Sequence, residues 1–147
     1  MNSREYLEQA YRLNEQIQDK RERIEHLKGL AMSIGATDYA KDKVQTSQNN
    51  EASFANIIAN IAETEQEMND DILKLFNLQR EISHAIDDVD DVDCSLMLSK
   101  RYLLMKEWEQ IADEMGYGIR QIFRIHKKAL EIFKIPKHDT QCHLMSN

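Results

Sequence analysis

The densest run of potential chemistry lies between Ile119 and Lys137, where Arg120, Arg124, Lys127, Lys128, Lys134 and Lys137 stand against a single acid, Glu131. Cationic side chains crowded on so short a stretch suit phosphate. Arg can also form paired hydrogen bonds to a guanine edge, and Gln to an adenine edge. Arg120, Gln121 and Arg124 come first and are placed for base edges. Lys127 and Lys128 follow and are placed for phosphates, which fix register without reading sequence. Phe123 falls on the same outward side, where a thymine methyl or a protein partner would meet it. A second group, Asp87–Asp93 (DDVDDVD), has five carboxylates in seven positions. Such oxygens bind hard cations, yet the spacing lacks the Asp-x-Asp-x-Asp-Gly pattern and distal Glu of a calcium loop. It reads instead as a solvated boundary with Asp93 as the N-cap of the next helix. In a further reading, these acids fold over the basic stretch and compete with DNA. His138, Cys142 and His143 have zinc-ligand types but no fourth ligand at a recognised spacing, so they read as a frayed tail. His26, His84 and His126 stand apart from any Ser or Cys nucleophile, and no phosphate-binding glycine loop or H-E-x-x-H occurs. No enzyme, cofactor or metal site is expected.

These groups must be positioned by helices. The 147 residues contain only four Gly and one Pro, with 41% hydrophobic and 31% charged residues, a composition that excludes a turn-rich β protein and favours an all-α fold. Tyr6, Ala10, Leu13, Ile17, Lys20, Ile24, Leu27 and Ala31 step by alternating fours and threes, one helical seam with only Lys20 off pattern. Ser3 is the expected N-cap, and Gly29 and Gly35 bracket the expected helix end. Residues 35–52, poor in large apolar side chains, read as a mobile connector. From Ser53, as N-cap, a second seam runs Phe54, Ile58, Ile61, Glu65, Met68, Ile72, Leu75, Gln79, Ile82, Ile86 and Val89, with Ile57 and Leu78 widening it. Two such stripes bury each other in a long antiparallel coiled-coil hairpin, or pair with a second copy in a homodimer. The expected divisions are a hairpin over 1–92, a DNA-binding unit over 93–137 and a tail over 138–147. Beyond the acidic boundary the stripe restarts at Leu96, Leu98, Tyr102 and Leu103. The longest apolar run, Tyr102–Met105, is far short of the ~20 residues that span a bilayer. Without an apolar secretion signal, and with only Cys94 and Cys142 as thiols, the expected location is the cytoplasm, away from membranes.

Charge is unevenly spread: residues 1–95 carry 10 Lys/Arg against 20 Asp/Glu, whereas residues 96–137 carry nine against five. Within the basic part, WEQIADEMGYGIRQIFRIHKK has the spacing of a helix-turn-helix. Ala112 is small where two helices cross, and Gly116 sits where the turn needs positive φ. Ile111, Met115, Tyr117, Ile122 and Ile125 fill the core between them. The second helix is expected from about Ile119 to about Phe133, with Pro136 beyond it, and Trp108 braces the unit from its rim.

The segment LMLSKRYLLMKEWEQIADEMGYGIRQIFRIHKKALEIF resembles region 4 of bacterial RNA polymerase sigma factors, with Leu103, Ile111, Ala112, Gly116, Ile122, Ala129 and Leu130 matching. Over residues 4 to about 135 the chain is similar to small phage and prophage proteins of Gram-positive bacteria, the sigma-region-4-like or ArpU-type late-transcription regulators. That resemblance implies a cytoplasmic regulator that binds double-stranded DNA and acts with the host RNA polymerase. Two departures stand against a true sigma factor: no promoter-melting region 2 is recognisable, and Gly118 replaces the usual polar N-cap. Two other readings are a small terminase-like DNA-packaging subunit and a protein-only RNA polymerase adaptor.

Overall fold

The computed structural model describes residues 1–40 and 44–137, with side chains over 1–34 and 50–137. The tail with His138, Cys142 and His143, and residues 41–43 of the expected connector, lie outside the described residues. The chain is all-helical: α1 (Ser3–Ala40), α2 (Val44–Asp87), α3 (Val92–Leu98), α4 (Trp108–Met115) and α5 (Ile119–Ile132). Among the described residues there is no strand, and no helix is long and apolar enough to cross a membrane.

Both long helices extend into the stretch expected to be a connector. Helix α1 passes through Gly29 and Gly35, and α2 begins at Val44, so Ser53 lies inside it and is not a cap. No Pro interrupts residues 35–52, and a Gly inside a helix costs only about 1 kcal/mol relative to Ala. At the start of α1, Asn2 is the cap instead of Ser3. Its Oδ1 accepts from the Glu5 N–H at 2.8 Å, and the Asn2 N–H donates back to Glu5 Oε2 at 3.3 Å, a reciprocal pair that satisfies two otherwise unpaired amides.

The contacts divide the chain into two compact units, one formed by Met1–Arg12 with Leu75 onward, the other by Leu13–Lys74. This division does not follow a cut at 92/93, because the start of α1 and the end of α2 share one core with α3, α4 and α5. In the first unit Tyr6, Leu7 and Ala10 of α1, Ile82 and Ile86 of α2, Met97 and Leu98 of α3, Ile111 of α4, and Ile122, Ile125 and Ala129 of α5 are buried together. Met97 is buried where the sequence reading put Leu96, which is 47% exposed. After α3 the backbone widens over Ser99–Leu103, with the Leu104 N–H reaching back five residues to Ser99 O at 3.0 Å. This turn puts Tyr102 in the core.

In the second unit Ile17, Ile24, Ala31 and Ile61 are buried, as the seams predict. Two polar residues join them. Asp71 receives a 2.5 Å ion pair from Lys20, the residue that broke the α1 seam. Thr64 donates its hydroxyl to Asn60 O one turn back at 2.8 Å, the usual way a buried helical Thr is satisfied. The buried face of α2 is thus turned by one position at these points. Thr64 and Asp71 lie in it, while Glu65, Ile72, Phe54 and Ile58 of the predicted seam are exposed.

Candidate nucleic-acid interface

Helix α4 ends at Gly116, whose φ of 74° is the left-handed conformation that closes a helix and that glycine adopts without penalty. The Tyr117 N–H then bonds Ala112 O at 3.0 Å. Tyr117 itself does not enter the core as predicted. It is exposed, and its hydroxyl donates to Asp93 Oδ2 at 2.7 Å, so a surface carboxylate gives the phenol a partner. Gly118 is the N-cap of α5, with no side chain bonded to the first amides of the helix.

Helix α5 divides into two faces at the 3.6-residue period. Ile122, Ile125, His126 and Ala129 are buried, whereas Arg120, Gln121, Phe123, Arg124, Lys127 and Lys128 are all exposed. Around the helix circumference Arg120, Arg124 and Lys127 form the centre of the exposed face, Gln121 and Lys128 one flank and Phe123 the other. Arg120, Arg124 and Lys127 make no ion pair among the described residues. Two other cations of the unit are already engaged: Lys100 and Lys106 both hold Glu114, at 2.7 and 2.6 Å. These lysines pull its carboxyl down to about 2.

The inner face is fixed by aromatic contacts. Tyr102 Oη and His126 Nε2 are hydrogen-bonded at 2.7 Å. Trp108 meets His126 and Phe123 edge-on at 4.8 and 5.3 Å. The Arg101 guanidinium lies between the rings of Tyr11 and Trp108, 4.4 and 4.2 Å from their centroids. Trp108 therefore braces α5, as the sequence reading expects. Burial, reinforced by Arg4 and Arg101, lowers the His126 pKa to about 4, so the ring is neutral at pH 7.

An acidic rim borders the basic face. Asp91, not Asp93, caps α3: its Oδ1 accepts from the Cys94 N–H at 3.0 Å, and its Oδ2 from Lys128 Nζ at 2.8 Å. Those bonds hold the Asp91 carboxyl at about 2, with the Lys128 bond foremost. Asp91, Asp93, Gln121, Arg124 and Lys128 line one shallow groove. Sequence spacing placed the acids at the start of α3 and left open that they fold over the basic stretch; the packing of α3 along α5 brings Asp91 and Asp93 to this flank. Cys94, beneath the groove, is buried; burial and then Asp91 raise its thiol to about 11. Comparisons with models of known protein families, with curated proteins and with solved structures find no match.

Proposed function

We propose that the chain is a sequence-specific DNA-binding regulator of transcription, of the phage type that its sequence resembles, acting in the cytoplasm with the host RNA polymerase. In this reading α4 and α5 form a helix-turn-helix and α5 enters the major groove. The observation that carries it is the exposed face of α5, with Arg120, Arg124 and Lys127 at its centre in no ion pair among the described residues, while the opposite face is locked by core packing. A rigid helix with cations projecting from it can meet phosphates and base edges without rearranging first. Arg120, Gln121 and Arg124 read bases, Lys127 and Lys128 hold phosphates, and Phe123 meets a thymine methyl. Helices α1 and α2 are read as an antiparallel hairpin, supported by the Lys20–Asp71 pair in one unit and the Tyr6–Glu81 hydrogen bond in the other.

The test is to incubate the protein with fragments tiling the genome that encodes it, at physiological salt, and to sequence what is retained. A variant with Arg120→Ala and Arg124→Ala serves as control. Enrichment of a short site upstream of genes, lost in the control, is the expected result. Retention that is absent, or equal in the control, overturns the reading, and an assembly of about eight or more chains points instead to DNA packaging. On the recovered site, Arg124→Ala is expected to cost ~1–3 kcal/mol at one base pair. Lys128→Ala should weaken all sequences alike and lower the salt slope by about one.

The acidic rim gives a prediction of opposite sign. Asp91→Asn retains a side chain that caps α3 but removes the charge that holds Lys128. Affinity for DNA of any sequence is expected to rise a few-fold in a fluorescence-anisotropy titration, with a steeper salt dependence. Unchanged affinity would mean that Lys128 does not contact phosphate.

A further inference from the structure

Helix α2 leaves one apolar face uncovered. Phe54, Ile58, Ile72 and Phe76 are 43%, 45%, 39% and 59% exposed, and they share one face of a single continuous helix. Their spacing is symmetric about Glu65: Phe54 and Phe76 lie eleven positions to either side, Ile58 and Ile72 seven. Just outside them stand Glu51 and Arg80, fourteen and fifteen positions from Glu65, both exposed and in no ion pair among the described residues.

From this pattern we infer that the face is a homodimer interface, in which two α2 helices pack antiparallel across a two-fold axis at Glu65. A two-fold axis lying between antiparallel helices pairs residue i of one copy with residue j of the other, and j with i. Phe54 then meets the partner's Phe76, Ile58 meets the partner's Ile72, and each pairing occurs twice. Within each layer the two side chains come from opposite sides of the seam, as in an antiparallel coiled coil. Glu51 lies level with the partner's Arg80 on the same side of the seam, which closes both ends with opposite charges. The four apolar side chains extend over about 33 Å of helix at 1.5 Å per residue. A parallel pairing places Phe54 beside its own copy and Arg80 beside Arg80, so the charges oppose it. The axial position is the weak point, because Glu65 faces its own copy, and two carboxylates there repel each other. Association is therefore concentration-dependent, and Glu65 limits it.

Sedimentation equilibrium of the full chain over a wide concentration range tests this. The expected result is a monomer–dimer equilibrium, abolished by Ile58→Lys or Ile72→Lys with helical circular dichroism retained. Glu65→Leu, which replaces the repulsion with an apolar contact, is expected to move the midpoint to about tenfold lower concentration. Orientation is read by disulfide cross-linking in a Cys142→Ser background. Glu65→Cys is expected to link to itself, whereas Phe54→Cys links only to Phe76→Cys in a mixture. A monomer at every concentration, a dimer indifferent to both lysine variants, a Glu65→Leu protein that dimerises more weakly, or self-linking of Phe54→Cys overturns the proposal.

Discussion

Leu7→Ala is expected to destabilise the unit that contains the basic helix by about 3 kcal/mol, although Leu7 lies more than a hundred positions before Arg120. The Leu7 side chain is fully buried in one cluster with Ile82, Met97, Leu98, Ile111 and Ile122. Removing three carbons there leaves a cavity bounded by several helices, which cannot all close in on it. Ser3 adds a hydrogen bond from its hydroxyl to Phe133 O at 3.3 Å, and Tyr6 stacks on Phe133 at 6.0 Å between ring centroids. The first residues of α1 are thus part of the support of α5. Urea denaturation followed by fluorescence of Trp108, the only tryptophan, reports this unit directly. Met32→Ala, at a position 75% exposed, is expected to change stability by less than about 0.5 kcal/mol. Equal midpoints for Leu7→Ala and wild type would show that the basic helix stands without the N-terminal segment.

Acid should weaken the same unit through one buried ring. The unfolded chain binds a proton at His126 near pH 6.5, whereas the folded protein resists until about pH 4, because the ring is buried and faces Arg4 and Arg101. The folded pKa is depressed, so this stability is complete above pH 6.5 and is lost as pH falls towards 4. At 1.36 kcal/mol per unit the full loss is about 3 kcal/mol, of which about 2 kcal/mol falls between pH 7 and 5. Asp91 and Glu114 act in a different window. Their carboxyls are held at about 2 by lysine partners, so what they contribute is complete above the ordinary carboxylate range and is lost as pH falls from that range towards 2. Urea midpoints at pH 7 and pH 5 isolate the histidine. In His126→Gln, which retains a polar partner for the Tyr102 hydroxyl, the difference between the two is expected to vanish. A difference as large as in wild type would assign the acid sensitivity elsewhere.

How far the sequence could be read depended on whether the signal was local. The bounds of α5, the left-handed Gly116 and the outward positions of Arg120, Gln121, Phe123, Arg124, Lys127 and Lys128 followed from spacing, because helix periodicity and a glycine turn are properties of neighbouring residues. Leu7 was missed since a two-helix seam predicts a narrow stripe. It is buried because several helices meet there, which one helix's pattern does not encode. The rotation of α2 was hidden for another reason. Hydrophobic periodicity counts Thr64 and Asp71 as solvent-facing, yet each is satisfied by one partner, Asn60 O or Lys20, and is then tolerated inside. Asp91 was passed over for Asp93 as cap because both have the right chemistry, and the widened turn over Ser99–Leu103 left no mark in composition.

The hydrogen bond from Ser3 to Phe133 also bears on how the protein is made. During synthesis Tyr6 and Leu7 leave the ribosome while the helices that cover them are still untranslated. At typical elongation rates the interval is on the order of ten seconds, far longer than the microseconds in which a helix forms. The nascent segment therefore waits with Tyr6 and Leu7 uncovered, and closure of the core is among the last events. Conditions that slow translation lengthen that wait, and with it the time for which apolar surface that the finished fold buries stays open to aggregation.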